Sequence, residues 1–159
     1  MRLLIFYTRL PLFILYSMIT LKRVDNEHDL KAAHGVREQV FVLEQNVPRE
    51  AECDQYEATA KHYLAMYNGV PCGAARWRET EQGIKLERFA VLQEYRNKKI
   101  GAHVLQAVLE DVLAAHPDKK IYLNAQLPAV NFYLQHGFVT EGEMFSECAI
   151  DHYKMVYKG

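Results

Sequence analysis

The dipeptide Asn68-Gly69 separates two runs of strand-forming residues, His62–Tyr67 and Val70–Thr80. A two-residue hairpin loop needs positive φ at both positions, which Asn and Gly tolerate, so this spacing predicts an antiparallel hairpin. Gly83 marks a second turn, and Ile84–Val91 reads as a third antiparallel strand. The flanking segments carry helical periodicity instead. Leu30, Ala33, Arg37, Val40, Phe41 and Glu44 share one face of a helix capped by Asn26, with Glu27 and Asp29 in its first turn. That helix ends before Pro48, and Gln45–Glu57 is a polar, acid-rich loop or short helix. Val104, Leu105, Val108, Leu109, Val112 and Leu113 form a second stripe, closed by Pro117-Asp118. Ile19–Val24, Ile121–Ala125, Phe138–Met144 and His152–Tyr157 read as further strands, and a short helix runs from Pro128 to Gly137. The order β-α-β-β-β-α-β-α-β-β predicts an α/β fold with a mixed, mostly antiparallel sheet flanked by helices.

Composition narrows the function classes. At 159 residues, half of them apolar, the chain has one domain's worth of material and enough apolar content for a core. Its net charge of -1 and pI near 6.7 argue against a disordered tail and against a strongly basic nucleic-acid binder. Cys53, Cys72 and Cys148 are odd in number and lack C-x-x-C spacing, so no disulfide framework or structural zinc is expected. A reducing, cytoplasmic setting fits best. The histidines are scattered without an H-E-x-x-H pair, and no metal is expected. Residues 1–17 differ from the rest, being mostly apolar with Arg2 and Arg9 and no acid. A secretory leader, a membrane anchor and an upstream extension compete there. Arg9 and Pro11 interrupt the apolar run, and Leu10–Leu21 is too short to span a bilayer, so the working domain is expected over residues 18–159 and a membrane role is not expected.

The stretch from Glu87 to Val108 is the most informative for chemistry. A strand leads into Tyr95-Arg96-Asn97-Lys98-Lys99-Ile100-Gly101-Ala102 and then a helix. Unpaired N–H groups at a helix N-terminus, with basic side chains and a glycine nearby, suit a phosphate or diphosphate. A solvated basic loop is the competing reading. The stretch is neither a Walker loop nor a G-x-G-x-x-G fingerprint.

Two longer motifs add a resemblance. Arg96-x-x-x-x-Gly101-Ala102, following Glu87-Arg88-Phe89-Ala90-Val91, resembles the acetyl-CoA loop of GNAT N-acetyltransferases. Ala129-x-x-Phe132-Tyr133-x-x-x-Gly137-Phe138 is similar to the family's segment near the thioester. Val40-Phe41-Val42-x-Glu44-Gln45-x-Val47-Pro48, Asn124-Ala125-Gln126 and Phe145-x-Glu147-x-x-Ile150-x-His152 resemble its ElaA-like branch. The likeness runs from Met18 to the end. Two departures stand out: Asn97 and Lys99 occupy loop positions where the family has glycine, and Gln126 stands where it often has Asn.

The resemblance implies direct transfer of an acetyl group from acetyl-CoA, as cosubstrate, to a primary amine. Backbone N–H groups of Lys98, Lys99, Ile100, Gly101 and Ala102 are then expected to hold the diphosphate, with Arg96 nearby. Phe89, Ala90 and Val91 would align the pantetheine arm, and the Val91 N–H would face the developing oxyanion. Gln126 and Asn131 are further cofactor contacts. Tyr133 is the expected acid, since a phenol stays protonated at neutral pH and can donate to a thiolate. Glu87 is the expected base, directly or through water, with His152 and Glu147 as alternatives. Glu44, Gln45, His62 and His152 are expected in the acceptor pocket, shaped by Phe41, Trp77 and Phe145. The acid-rich segment with Glu44, Glu52, Asp54 and Glu57 would favour a cationic amine. Amino sugar, polyamine, amino acid and peptide N-terminus all satisfy these residues. Family resemblance also brings in a homodimer. The alternative is a non-catalytic acyl-CoA sensor with the same fold, in which Lys99 has altered the loop.

Overall fold

The computed structural model describes residues 18–159, so the extension expected at residues 1–17 lies outside them. β1 (Ile19–Arg23) pairs antiparallel with β2 (Lys61–Tyr67), and the chain returns as β3 (Val70–Thr80). Asn68 and Gly69 sit at φ 50° and 80°, the two positive values that the tight turn requires. β4 (Gly83–Val91) follows, and a Cβ at Gly83 would collide with the Lys120 carbonyl, so glycine is needed there.

Between β1 and β2, α1 (Glu27–Arg37) starts where the Asn26 side chain accepts the Asp29 N–H at 2.9 Å. The predicted helix keeps its direction to Glu44, but Glu38–Glu44 is π-helical. The acid-rich segment contains one turn of helix, α2 (Arg49–Glu52). After β4, α3 (Ile100–Ala115) crosses over to β5 (Ile121–Gln126), because parallel neighbours cannot be joined by a hairpin. Then come α4 (Val130–Leu134), β6 (Phe138–Thr140), β7 (Phe145–Glu147) and β8 (Ile150–Tyr157). The sheet order is β1-β2-β3-β4-β5-β8-β6, with β7 also on β8. β4 and β5 pair parallel; the other pairs among the described residues are antiparallel.

One strand differs from its prediction. Phe138–Met144 is strand only as far as Thr140, because Gly142, at φ 80°, turns the chain, and an unexpected strand, β7, begins beyond it at Phe145. β6 then pairs with the end of β8 and β7 with its beginning. Helices cover both faces of the sheet. α3 buries Ile100, Val104, Leu105, Val108 and Val112 against Tyr63, Trp77, Leu86 and Leu123, while Leu113 turns outward. α1 packs Ala33 and Val36, with Val40, on Leu64, Ala74 and Ala90.

Candidate active site

The β4–β5 pairing stops early. It spans Ile84–Leu86 against Ile121–Leu123, and beyond this the strands separate. A bulge in β4 contributes. The β3–β4 register shifts between Ala74 and Arg76, and Arg88 opposite this break has φ 57°. An extra residue in the left-handed conformation kinks a strand and re-aims the residues beyond it. The Arg88 side chain fastens the kink, donating to the carbonyls of Ala51 at 2.8 Å and Glu52 at 3.1 Å. The gap widens into a cavity of about 210 Å³ lined by both strands, the segment after α1, and the β7–β8 hairpin.

Backbone and side-chain groups converge on this gap. The Leu92 N–H bonds the Cys72 carbonyl, and alternation along an antiparallel ladder therefore turns the Val91 N–H and C=O away from β3, toward the gap. Phe89 and Val91 are partly buried, whereas Ala90 faces α1. Tyr133 lines the cavity, its ring packed edge-on against Phe89, Phe132 and Phe138. Burial pushes its phenol pKa up, so the hydroxyl keeps its proton. His152 also lines the cavity and stacks on Phe145. Its Nδ1–H donates to the Ile150 carbonyl at 2.7 Å, which leaves Nε2 as an acceptor without a protein partner among the described residues. Gln126 and Gln45 meet across the gap, Nε2 donating to Oε1 at 2.7 Å.

Glu87 lines the cavity too, but its carboxylate is committed. Arg76 Nε lies 2.9 Å away, with Arg78 Nε and Lys85 Nζ each at 3.2 Å. Burial raises the Glu87 pKa, but these three cations outweigh it and hold the carboxyl below its usual range. A carboxylate held in this way is a weak base.

Arg76 also belongs to a buried network on the α1 face. Arg37 and Arg76 are fully buried. Both donate to Glu57, and Arg76 also reaches Asp54 at 2.6 Å and 2.9 Å. His62 belongs to this network rather than to the cavity: its Nε2–H donates to the Glu57 carbonyl at 2.9 Å. His34, Glu57 and His62 have metal-like spacing, but the Arg37 and Arg76 guanidinium groups on Glu57 repel a cation.

The loop before α3 keeps the backbone shape that glycine would allow. Asn97 and Lys99 both have φ 62°. Lys99 is the N-cap of α3, and no side chain caps the helix, so its first-turn N–H groups point outward with no acid beside them. Ile100 is buried, and Gly101 lies near Phe132. Asn131 is exposed on α4 and does not line the cavity. Arg96 and Glu44 pair with each other through two contacts of 2.6 Å, and Glu44 does not reach the cavity. Lys99→Gly is expected to raise stability by about 0.5–1 kcal/mol, the left-handed penalty less the entropy that glycine costs. Thermal denaturation should show a Tm higher by roughly 1–4 °C. An unchanged Tm would mean that the lysine side chain offsets the strain.

Sequence reading misses several lining groups: Arg88, Lys85, Asn124 and the Cys148 turn. Two of them carry a signal: Arg88 by its place in the strand before the basic loop, and Asn124 by its place in Asn124-Ala125-Gln126. The bulge conformation of Arg88 has none, because glycine is the residue that ordinarily announces it.

Comparison with known proteins gives this site its context. Residues 26–158 match the family model described as "Acetyltransferase (GNAT) domain". The uncharacterized N-acetyltransferase YjcF of Bacillus subtilis is 41% identical over 132 residues, covering 82% of this chain and 94% of that protein. Protein ElaA of Escherichia coli is 31% identical over 120 residues, covering 73% of this chain and 78% of ElaA. The ElaA crystal structure superposes with a TM-score of 0.81 at 27% identity, over 89% of this chain and 100% of that one. An acyl-CoA N-acyltransferase from Pseudomonas aeruginosa shares the fold, with a TM-score of 0.79 at 24% identity over 90% and 100% of the two chains. Fold and relatives together define an acyltransferase. The chain belongs to the GNAT acetyltransferase family, in its ElaA-like branch.

Proposed function

We propose that this enzyme moves an acetyl group from acetyl-CoA to a primary amine by direct attack in a ternary complex, within a single domain spanning residues 18–159. The observation that carries the reading is the opened β4–β5 gap: the Val91 N–H turns toward it, Tyr133 lines its cavity, and the uncapped start of α3 lies next to Val91. Backbone N–H groups from Lys98 to Ala102 hold the diphosphate, helped by the macrodipole of α3. Phe89 and Val91 align the pantetheine arm as an added strand would. As the amine nitrogen bonds to the thioester carbon, the Val91 N–H stabilises the oxyanion. When the C–S bond breaks, Tyr133 gives its proton to the leaving thiolate. His152 Nε2 takes the proton that the nitrogen loses, while Glu87 balances the charge of Arg76, Arg78 and Lys85 behind the pocket. The left-handed backbone at Lys99 supports cofactor binding over a loop closed by that residue.

Small-molecule and peptide amines both suit the acceptor side. Free Cys53, Cys72 and Cys148 support a cytoplasmic setting, and no helix among the described residues is long and apolar enough to cross a membrane. Calorimetric titration of acetyl-CoA into the full chain should give micromolar binding, far tighter than inorganic phosphate. Absence of binding at millimolar acetyl-CoA would overturn the proposal.

A further inference from the structure

The π-helical segment Glu38–Glu44 is fastened at its end to both lips of the β4–β5 gap. On one side, Arg96 donates to the two oxygens of Glu44 at 2.6 Å each, and its Nε donates to the Val91 carbonyl at 2.9 Å. On the other, Gln126 Nε2 donates to Gln45 at 2.7 Å. Phe41 and Gln45 thereby become part of the acceptor wall. π-helical turns are rare and are frequent at functional sites.

Arg96 has two possible anionic partners. It stands at the start of the loop whose N–H groups open α3, three residues before the N-cap Lys99. The Glu44 pair is 37% and 38% exposed, and an ion pair in such contact with water contributes little. A diphosphate carries more charge than a carboxylate and accepts the same two-pronged guanidinium contact.

We propose that Arg96 exchanges Glu44 for the diphosphate of the cofactor, which makes Glu44 a positioning residue that couples cofactor capture to the acceptor wall. This rests on the acetyl-CoA reading above. Before capture, Glu44 neutralises Arg96 and holds the π segment against the cofactor loop. After capture, Glu44 is released, and Gln45–Gln126 remains as the tie between that segment and β5. The wall formed by Phe41 and Gln45 then adjusts to the amine.

The test is calorimetric titration of CoA into the full chain as wild type, Glu44→Gln and Arg96→Gln, with hydrogen exchange read on residues 38–47. Glu44→Gln removes the competitor, so CoA should bind about two- to fivefold tighter. Arg96→Gln should bind it more weakly than wild type. In wild type, CoA should speed exchange in residues 38–47; in Glu44→Gln these amides should exchange fast without CoA. A residue serving only to brace the loop would give the opposite sign of affinity change. Equal or weaker CoA binding by Glu44→Gln, or no effect of CoA on exchange in wild type, overturns the inference and leaves the cofactor reading standing. No CoA binding by the wild type overturns both.

Discussion

Tyr133→Phe should lower kcat for CoA release about 100- to 10,000-fold, the usual range for removing a general acid. The KM for acetyl-CoA should stay within about twofold, because the proton is needed only as the C–S bond breaks. Phenylalanine keeps the ring that packs against Phe89, Phe132 and Phe138, so the fold should survive. The check is thiol release with and without an amine acceptor, alongside a thermal melt. Burial holds the phenol above its ordinary pKa, so loss of its proton should not limit the wild-type rate below about pH 10. A variant that retains most of its turnover would remove Tyr133 from the mechanism.

Arg76→Met should destabilise the protein by about 3–5 kcal/mol. Arg76 is fully buried and serves Asp54, Glu57 and Glu87 together. Removing it leaves the buried Glu87 and the partly buried Asp54 and Glu57 short of a counter-charge, a larger loss than that of an exposed ion pair. For a domain of this size, Tm should drop by roughly 6–20 °C. The pH dependence gives an independent check. In the wild type, Asp54, Glu57 and Glu87 all lie below the ordinary carboxylate range, despite desolvation, because the hydrogen bond from His34 at Glu57, Lys85 at Glu87 and the arginines at all three outweigh it. Their contribution to stability is full above the unfolded-chain pKa of about 4 and is lost as pH falls through the lower folded values. Without Arg76 the folded-state values rise, and protonation relieves repulsion instead. The stability gap between wild type and variant should therefore shrink as pH drops from about 7 toward about 4. Urea melts at several pH values would show it, and a constant gap would mean that the network relaxes around the missing charge.

Much of this architecture was readable because it is written in short-range terms. Asn68-Gly69 announces its turn by backbone tolerance, and the α3 stripe by spacing. The uncapped N-terminus of α3 follows from the loop before it. Tyr133 came from the family resemblance, since helical spacing alone makes it a core aromatic, and the structure shows it packed among aromatics while lining the cavity. Glu44 and His62 are an acid and a base in the right region, yet partners elsewhere claim them. Glu87 lines the cavity as expected, but Arg76 determines what its carboxylate can do. The Gly142 turn was hidden inside an otherwise strand-like run.

Sequence alone therefore determined most of the strands and helices, the Asn68-Gly69 turn and the family resemblance, because periodicity, capping and backbone tolerance act over a few neighbouring residues; it did not disclose β7, the π-helical turn or the Gly142 turn. Tertiary structure alone decided which polar groups meet. Glu44 finds Arg96 across 52 positions and Gln45 finds Gln126 across 81. Those meetings depend on how far β4 and β5 separate after the Arg88 bulge and how α1 lies across them. Such distances come from packing the whole chain around one core, and no local pattern encodes them.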